Sequence, residues 1–383
     1  MTRILFISNG HGEDLNASQV LARLAAHRPH WQFLAAPLVG AGQAYSKLGV
    51  PIVTPVRNFP SGGFVYMDQR LLWQDIRQGL LAHIWQSLQA LVQQQPDFVM
   101  AVGDVLPFVG ALLIGQPFAA FTVSLSARYT GKLLFPFPML GLMGHPLCQV
   151  IFTRDLFTAE LLQGRGYRAE FAGYPIMDLV QVSNFTLTKP KDVPAVALLP
   201  GSRVPEAIRN FRLLLNFVRQ VAIPASFWAA LVPSVYAVLP ELDPDWLWLA
   251  DQHILKCGQW RVHCPPDRFA EILHIADIVV GMAGTAIEQA VGLGKPVIQI
   301  PGAGPQFTYR FAEAQMRLLG RSVQTIGTKP ADQTTLQLAA DCLVRTLQDK
   351  SYLAQCPIWG KESVGTGGGS DRIAQRLIQI IES

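Results

Sequence analysis

Two stretches of the chain place glycine, a hydroxyl and charge at the end of an apolar run. The first is Leu198-Leu-Pro-Gly-Ser-Arg-Val-Pro-Glu206. Gly201 lets the backbone approach a ligand closely. Ser202 is expected at a helix start, where backbone N–H groups point at an anion and the helix dipole favours it. Arg203 adds a charged fork suited to phosphate oxygens. The second stretch is Ile278-Val-Val-Gly-Met-Ala-Gly-Thr-Ala-Ile-Glu-Gln-Ala290. Gly284, Thr285 and Ala286 form a second amide cluster. Glu288 is expected in the first helical turn, to accept a pair of ribose hydroxyls or to complement the dipole. The loop Pro301-Gly-Ala-Gly-Pro-Gln306 ends the next strand with an amide side chain on its rim. Either turn alone also fits an ordinary strand-to-helix connection. Two of them in one domain point to a nucleoside diphosphate.

The N-terminal half offers proton-transfer chemistry. His11 lies in Asn9-Gly-His-Gly-Glu-Asp14, expected as a turn after the first strand, and Asp104 lies in Val102-Gly-Asp after a later strand. Both residue types take protons from hydroxyls. The bland alternatives are a turn histidine contacting backbone and an aspartate capping a helix.

The elements that must hold these residues alternate. Short apolar runs at Ile4–Ser8, Phe33–Pro37, Phe98–Val102, Phe118–Val123 and Val150–Thr153 predict strands. Ile52–Val53 is expected as a short strand. Leu15–Ala26 and Leu71–Gln94 predict helices. The rhythm restarts with strands at Val196–Leu199, Phe227–Leu231, Ile254–Cys257, Ile278–Gly281 and Pro296–Ile300, and closes with helices near Gln333–Gln348 and Asp371–Ile381. Alternating β and α of this kind predicts parallel sheets covered on both faces. The expected fold class is α/β, with two doubly wound Rossmann-like domains facing a cleft. Residues 1–181 form the first domain, 182–193 a polar linker and 194–365 the second domain. Residues 366–383 form a final helix that packs back on the first.

The composition fits buried sheets. Of 383 residues, 15% are charged and 50% hydrophobic, with mean hydropathy +0.25 and net charge +4. Disorder is excluded, because the apolar content is ample for a core. A charge of +4 is no nucleic-acid footprint, so no nucleic acid is expected as a partner. Val105–Ala127 and Leu133–Thr153 lack Asp, Glu, Lys and Arg and are long enough to span a bilayer. Their prolines break a spanning helix. The first reads as buried strand and helix, the second as a membrane-touching surface. Phe59–Tyr66 and Leu133–Leu147 combine apolar and turn residues, with Arg70, Arg77, Arg128 and Lys132 beside them. Such loops dip into a headgroup boundary, or else line the core. The five cysteines show no metal-ligand spacing, and the N-terminus reads as a first strand, not a signal peptide. The expected compartment is the cytoplasm.

These residues resemble the lipid-A-disaccharide synthase family, in its "related" branch, within the GT-B glycosyltransferases. Leu199-Pro-Gly-Ser-Arg203 with Glu206 matches the family's arginine loop. Gly284-Thr-Ala286, Glu288 and Gly294-Lys-Pro-Val297 match its donor-nucleotide segment. Phe171-Ala-Gly-Tyr-Pro-Ile-Met-Asp178 resembles its Phe-x-Gly-His-Pro-x-x-Asp, and Val39-Gly-Ala-Gly42 with Gly49 its early glycine loop. The resemblance implies inverting, metal-independent transfer from a UDP-sugar to a lipid-linked acceptor, by a cytoplasmic enzyme held at the inner face of the membrane. By the same resemblance, Gly201, Ser202, Arg203, Gly284, Thr285 and Ala286 hold the diphosphate, Glu288 the ribose, and Gln306 the sugar. Asp104 or His11 is the base, and Gly10, Gly12, Asp14, Ser124 and Arg128 belong to the acceptor region. No cofactor or metal is implied. The acceptor half departs from the family pattern. Pro107 replaces a second aspartate, and Ser124-Leu-Ser-Ala-Arg-Tyr129 and Gly10-His-Gly-Glu-Asp14 replace its motifs. An epimerase- or hydrolase-like enzyme on the same fold, or a non-catalytic nucleotide- or lipid-binding relative, are the alternative readings.

Overall fold

A computed structural model describes residues 1–57, 76–182, 184, 186–282, 284–302, 304 and 307–383, and of His11 the backbone. The chain forms two compact units: Met1–Asp178 with Gly367–Ser383, and Leu179–Thr366.

The first unit is built on six parallel strands. They are β1 (Arg3–Ser8), β2 (Gln32–Pro37), β3 (Phe98–Val102), β4 (Phe118–Thr122), β5 (Cys148–Thr153) and β6 (Ala169–Glu170), in the order β2-β1-β3-β4-β5-β6. Strand residues alternate between two faces. Leu5, Ile7, Val99, Ala101, Phe118, Ala120 and Ile151 share one core with Leu91 of α2 (Leu80–Val92), Phe108 and Ala111 of α3 (Val105–Ile114) and Leu162 of α4 (Leu156–Gln163). The alternate strand residues Ile4, Phe6, Met100 and Phe121 are equally buried. On that side α1 (His11–His27) packs against the C-terminal helix (Gly369–Glu382). Both faces are covered, so the strands are apolar throughout.

The C-terminal helix is fastened to this unit by the Phe171–Asp178 motif. Asp178 accepts from the amides of Gly368 and of Ser370, the latter at 2.8 Å, and so caps the helix. Gly173, at φ +99°, leaves room that a Cβ would take from Gly369 Cα at 3.1 Å and from the Arg372 guanidinium. Arg376 pairs with Glu170 at 2.9 Å.

The second unit has eight strands: β7 (Ala195–Leu199), β8 (Ser226–Ala229), β9 (Leu247–Leu249), β10 (Ile254–Cys257), β11 (Trp260–His263), β12 (Ile278–Gly281), β13 (Val297–Gln299) and β14 (Val323–Thr325). Their order is β14-β13-β12-β7-β8-β11-β10-β9. Its longer helices are α5 (Glu206–Val218), α6 (Phe269–Ile275), α7 (Gly284–Gly292), α8 (Tyr309–Leu319), α9 (Gln333–Gln348) and α10 (Lys350–Ser363).

Several sequence expectations need correction. The second sheet is not wholly parallel, because β9, β10 and β11 pair antiparallel at its edge. Ile52 makes a single bridge to Ala35 and no strand. The helix expected over Leu71–Gln94 is described only from 76, and α2 begins after Gly79, whose φ of +91° is not helical. Helix α10 carries Pro357 in its interior. The polar stretch expected as a linker is tied to the second unit. Thr186 Oγ1 donates to Glu271 at 2.7 Å, and Lys189 pairs with Asp277. Leu133, Met139 and Met143 are buried in the first unit's core, while Leu134 and Phe137 of the same stretch are exposed.

Asp178→Ala removes the cap of the C-terminal helix. It should lower the urea stability of the protein by roughly 1–2 kcal/mol and speed amide exchange in Gly369–Glu382 before other helices of the unit.

Candidate functional site

In each sheet the first strand has neighbours reached in opposite directions, which opens a crevice at the carboxyl ends of the strands. In the second unit that switch point lies between β7 and β12, and in the first between β1 and β3. The candidate residues stand at these two places.

In the second unit, the loops after β7, β12 and β13 are pressed together through glycine. Gly201, at φ +99°, lies where a Cβ would be 2.9 Å from the Phe307 ring. A Cβ on Gly304, also at positive φ, would crowd the Glu206 side chain, and one on Gly302 would crowd Asn210 and stand 2.7 Å from Met282 Sδ. A Cβ on Gly284 would meet Phe311 at 3.2 Å. The Asn210 amide donates to the Pro200 carbonyl at 3.3 Å and steadies the first loop. This floor presents backbone instead of side chains, and Ser202, Arg203 and Thr285 are exposed above it. The early amides of α7, from Gly284, Thr285 and Ala286, have no intrahelical acceptor by helix geometry.

Two positional expectations change. Ser202 does not begin a helix. Residues 202–205 form a turn, and α5 starts at Glu206, with the Ala207 amide donating to the Arg203 carbonyl at 2.7 Å. Glu288 stands in the second turn of α7, because that helix starts at Gly284. Gln306 lies outside the described residues. Gly294 and Lys295 are structural. Lys295 donates to the carbonyls of His274 and Ala276 at 2.9 and 2.7 Å, and burial lowers its pKa. A Cβ on Gly294 would be 2.8 Å from Pro357 Cα. Phe307 and Asn210 were not anticipated, since nothing local distinguishes them from ordinary core and helix residues.

In the first unit, β1 runs straight into α1. His11 is therefore the first helical residue and not part of a turn; its side chain lies outside the described residues. Gly10 precedes the helix, and its carbonyl accepts from the Asp14 amide at 2.8 Å. Gly12 faces open space. Asp104 caps α3, accepting from the Leu106 amide at 3.4 Å and from Asn9 Nδ2 at 3.0 Å. Ser124, exposed after β4, donates to Glu13. Arg128 is half-buried in a short 3-10 turn (Ala127–Tyr129), and its amide donates to Ser126 Oγ at 3.0 Å. Asn9 and Glu13 were passed over in the sequence, although they adjoin the residues singled out there.

Asp14 is buried in the first turn of α1. Ser8 Oγ donates to it at 2.6 Å and stands 2.8 Å from the Tyr45 hydroxyl. Burial pushes the Asp14 carboxyl up to about 7; the Ser8 hydrogen bond opposes this and nearby Glu13 adds to it. Asp14 is thus part of the support of that turn.

The two Rossmann-like units define the GT-B class of fold. Spinosyn rhamnosyltransferase SpnG complexed with thymidine diphosphate matches over all of both chains with TM-score 0.62 and 14% identity. The UDP-GlcNAc 2-epimerase from Neisseria meningitidis bound to UDP-GlcNAc matches over 99% of each with TM-score 0.56 and 16% identity. In sequence, the chain is similar to lipid-A-disaccharide synthases. That of Geobacter sulfurreducens is 24% identical over 247 residues, which cover 59% of this chain and 60% of that protein. That of Syntrophus aciditrophicus is 30% identical over 155 residues, 38% of this chain and 37% of that protein. No family model matches the chain.

The folded protein keeps a proton on Asp14 between about pH 4 and pH 7, where the unfolded chain has lost it. The contribution of Asp14 to stability therefore falls as pH rises through that window and levels off above it. Asp14→Asn should flatten this dependence. Relative to the parent, its urea midpoint should be higher at pH 8 than at pH 5.

Proposed function

We propose that the protein is an inverting, metal-independent glycosyltransferase that moves a sugar from a UDP-sugar to a membrane lipid-linked acceptor. The observation that carries this reading is the glycine-floored convergence of three loops at the β7–β12 switch point, with exposed Arg203 on its rim. The similarity to lipid-A-disaccharide synthases supports it.

On this reading Gly201, Ser202, Arg203, Gly284, Thr285 and Ala286 bind the diphosphate, Glu288 the ribose and Gln306 the sugar. The acceptor hydroxyl attacks the anomeric carbon, and the bond to the diphosphate oxygen breaks. The electron pair leaves on the nucleoside diphosphate, and Asp104 or His11 takes the hydroxyl proton. Charge grows on the leaving diphosphate. Prearranged amides and an arginine stabilise it there without reorganisation, the task a divalent ion has in other transferases. Gly10, Gly12, Asp14, Ser124 and Arg128 form or support the acceptor region. An epimerase-like reaction is the second reading, because the fold is shared with a UDP-GlcNAc 2-epimerase. It predicts consumption of UDP-GlcNAc with no acceptor present.

The membrane part of the proposal rests on Phe137, which is 95% exposed, and on Leu134 beside it. Exposed Lys132 and half-buried Arg128 supply cations for anionic headgroups. Among the described residues no helix is long and apolar enough to cross a membrane. The segments Phe59–Tyr66 and Arg70 lie outside the described residues. A cytoplasmic enzyme held at the inner membrane face is the arrangement proposed.

Arg203→Ala should weaken UDP binding at least tenfold by calorimetry and leave the urea midpoint unchanged, since the side chain is exposed. Unchanged UDP affinity would overturn the donor-site assignment. Pelleting with vesicles rich in phosphatidylglycerol should fall by more than half in Phe137→Glu. Equal pelleting of parent and variant would remove the docking surface.

A further inference from the structure

The C-terminal edge of β1, β3 and β4 gathers four polar side chains from three loops. Asn9 follows β1, Glu13 lies in the first turn of α1, Asp104 follows β3 and Ser124 follows β4. Gly103 permits the convergence. It stands at φ +129°, and a Cβ there would lie 3.3 Å from Glu13 Cγ and 3.4 Å from Asn9 Cβ. Glu13 and Asn9 thus flank the same bare stretch of backbone. Asn9 joins the cluster through its amide nitrogen, which donates to Asp104 at 3.0 Å. Its amide oxygen, on a side chain 8% exposed, has no hydrogen-bond partner among the described residues. Turning the amide round would set that oxygen against the Asp104 carboxylate, so the orphan is inherent in the arrangement. A buried acceptor without a donor is costly, and folded proteins satisfy nearly all such groups.

What would complete this cluster is a donor. Asn9 Oδ1, the Glu13 carboxylate and the Asp104 carboxylate all accept, and none of the four side chains carries a positive charge. Two carboxylates repel a phosphate. They suit neutral O–H groups, each of which can donate to one of them, directly or through one water.

We propose that Asn9 and Glu13 form a subsite for the hydroxyl groups of a neutral sugar ring. This rests on the glycosyltransferase reading and makes the ring the hydroxylated part of the acceptor. Glu13 accepts from one hydroxyl and Asn9 Oδ1 from a second. Ser124 donates to Glu13 and orients its carboxylate. Neither residue was among those implied by family resemblance, where the equivalent loop has a different pattern.

The test uses the full chain and octyl N-acetylglucosaminide as probe, titrated by ligand-observed NMR, with UDP titrated separately by calorimetry. The parent should bind the glycoside saturably. Glu13→Ala should bind it about tenfold more weakly with UDP affinity unchanged. Glu13→Gln keeps the shape and one acceptor oxygen, so it should fall between the two, and it gives the reading if the alanine variant does not fold. Inorganic phosphate should not compete with the glycoside. Absence of saturable glycoside binding, equal affinity in parent and both variants, or displacement by phosphate would each overturn the subsite. Failure of the parent to bind UDP would instead count against the donor site, whatever the glycoside result.

Discussion

Each unit is built around parallel strands whose carboxyl ends share one edge, and helices cover both faces. Covered faces must be apolar, so chemistry is confined to the loops at that edge. This accounts for the low charge content. It also accounts for Val105–Ala127, whose uncharged length suggests a membrane span. Most of that stretch is α3 and β4 inside the first unit.

The two edges meet the constraint differently. In the second unit, glycine contacts bring three loops so close that backbone is what they display. Side chains there, such as Phe307 and Asn210, work from below. In the first unit the loops after β1, β3 and β4 exchange side-chain hydrogen bonds, and carboxylates dominate. A backbone-lined floor with an arginine favours an anion, whereas a carboxylate-rich edge favours a donor. The chemical difference between the units follows from what each packs against its glycines.

Motif residues divide in the same way between display and support. Gly173, Asp178, Gly294 and Lys295 belong to segments that resemble a glycosyltransferase family. Their contacts are those of fasteners. Asp178 caps the final helix, and Gly173 lets that helix approach. Lys295 donates to the carbonyls of His274 and Ala276 at the end of α6, and Gly294 admits α10. Asp14 likewise sits in the first turn of α1, buried against Ser8, and that burial raises its carboxyl to about 7. Retention of a motif residue can therefore report packing as readily as binding.

The α/β class, most strands and the two glycine turns followed by helices are legible in the residues alone, because apolar runs and glycine punctuation are local signals. The sequence places Arg203, Gly284 and Asp104 at strand ends for the same reason. Tertiary structure decided where helices actually begin, moving Ser202 out of α5 and Glu288 into the second turn of α7. It also decided the antiparallel edge β9–β10–β11, since strands of three or four residues gain their pairing only from a neighbour already in place. The partnership of Asn9 and Glu13 across Gly103 was beyond the sequence too. Those residues lie up to 94 positions apart from the backbone that joins them, and only the pairing of β1 with β3 brings the loops together.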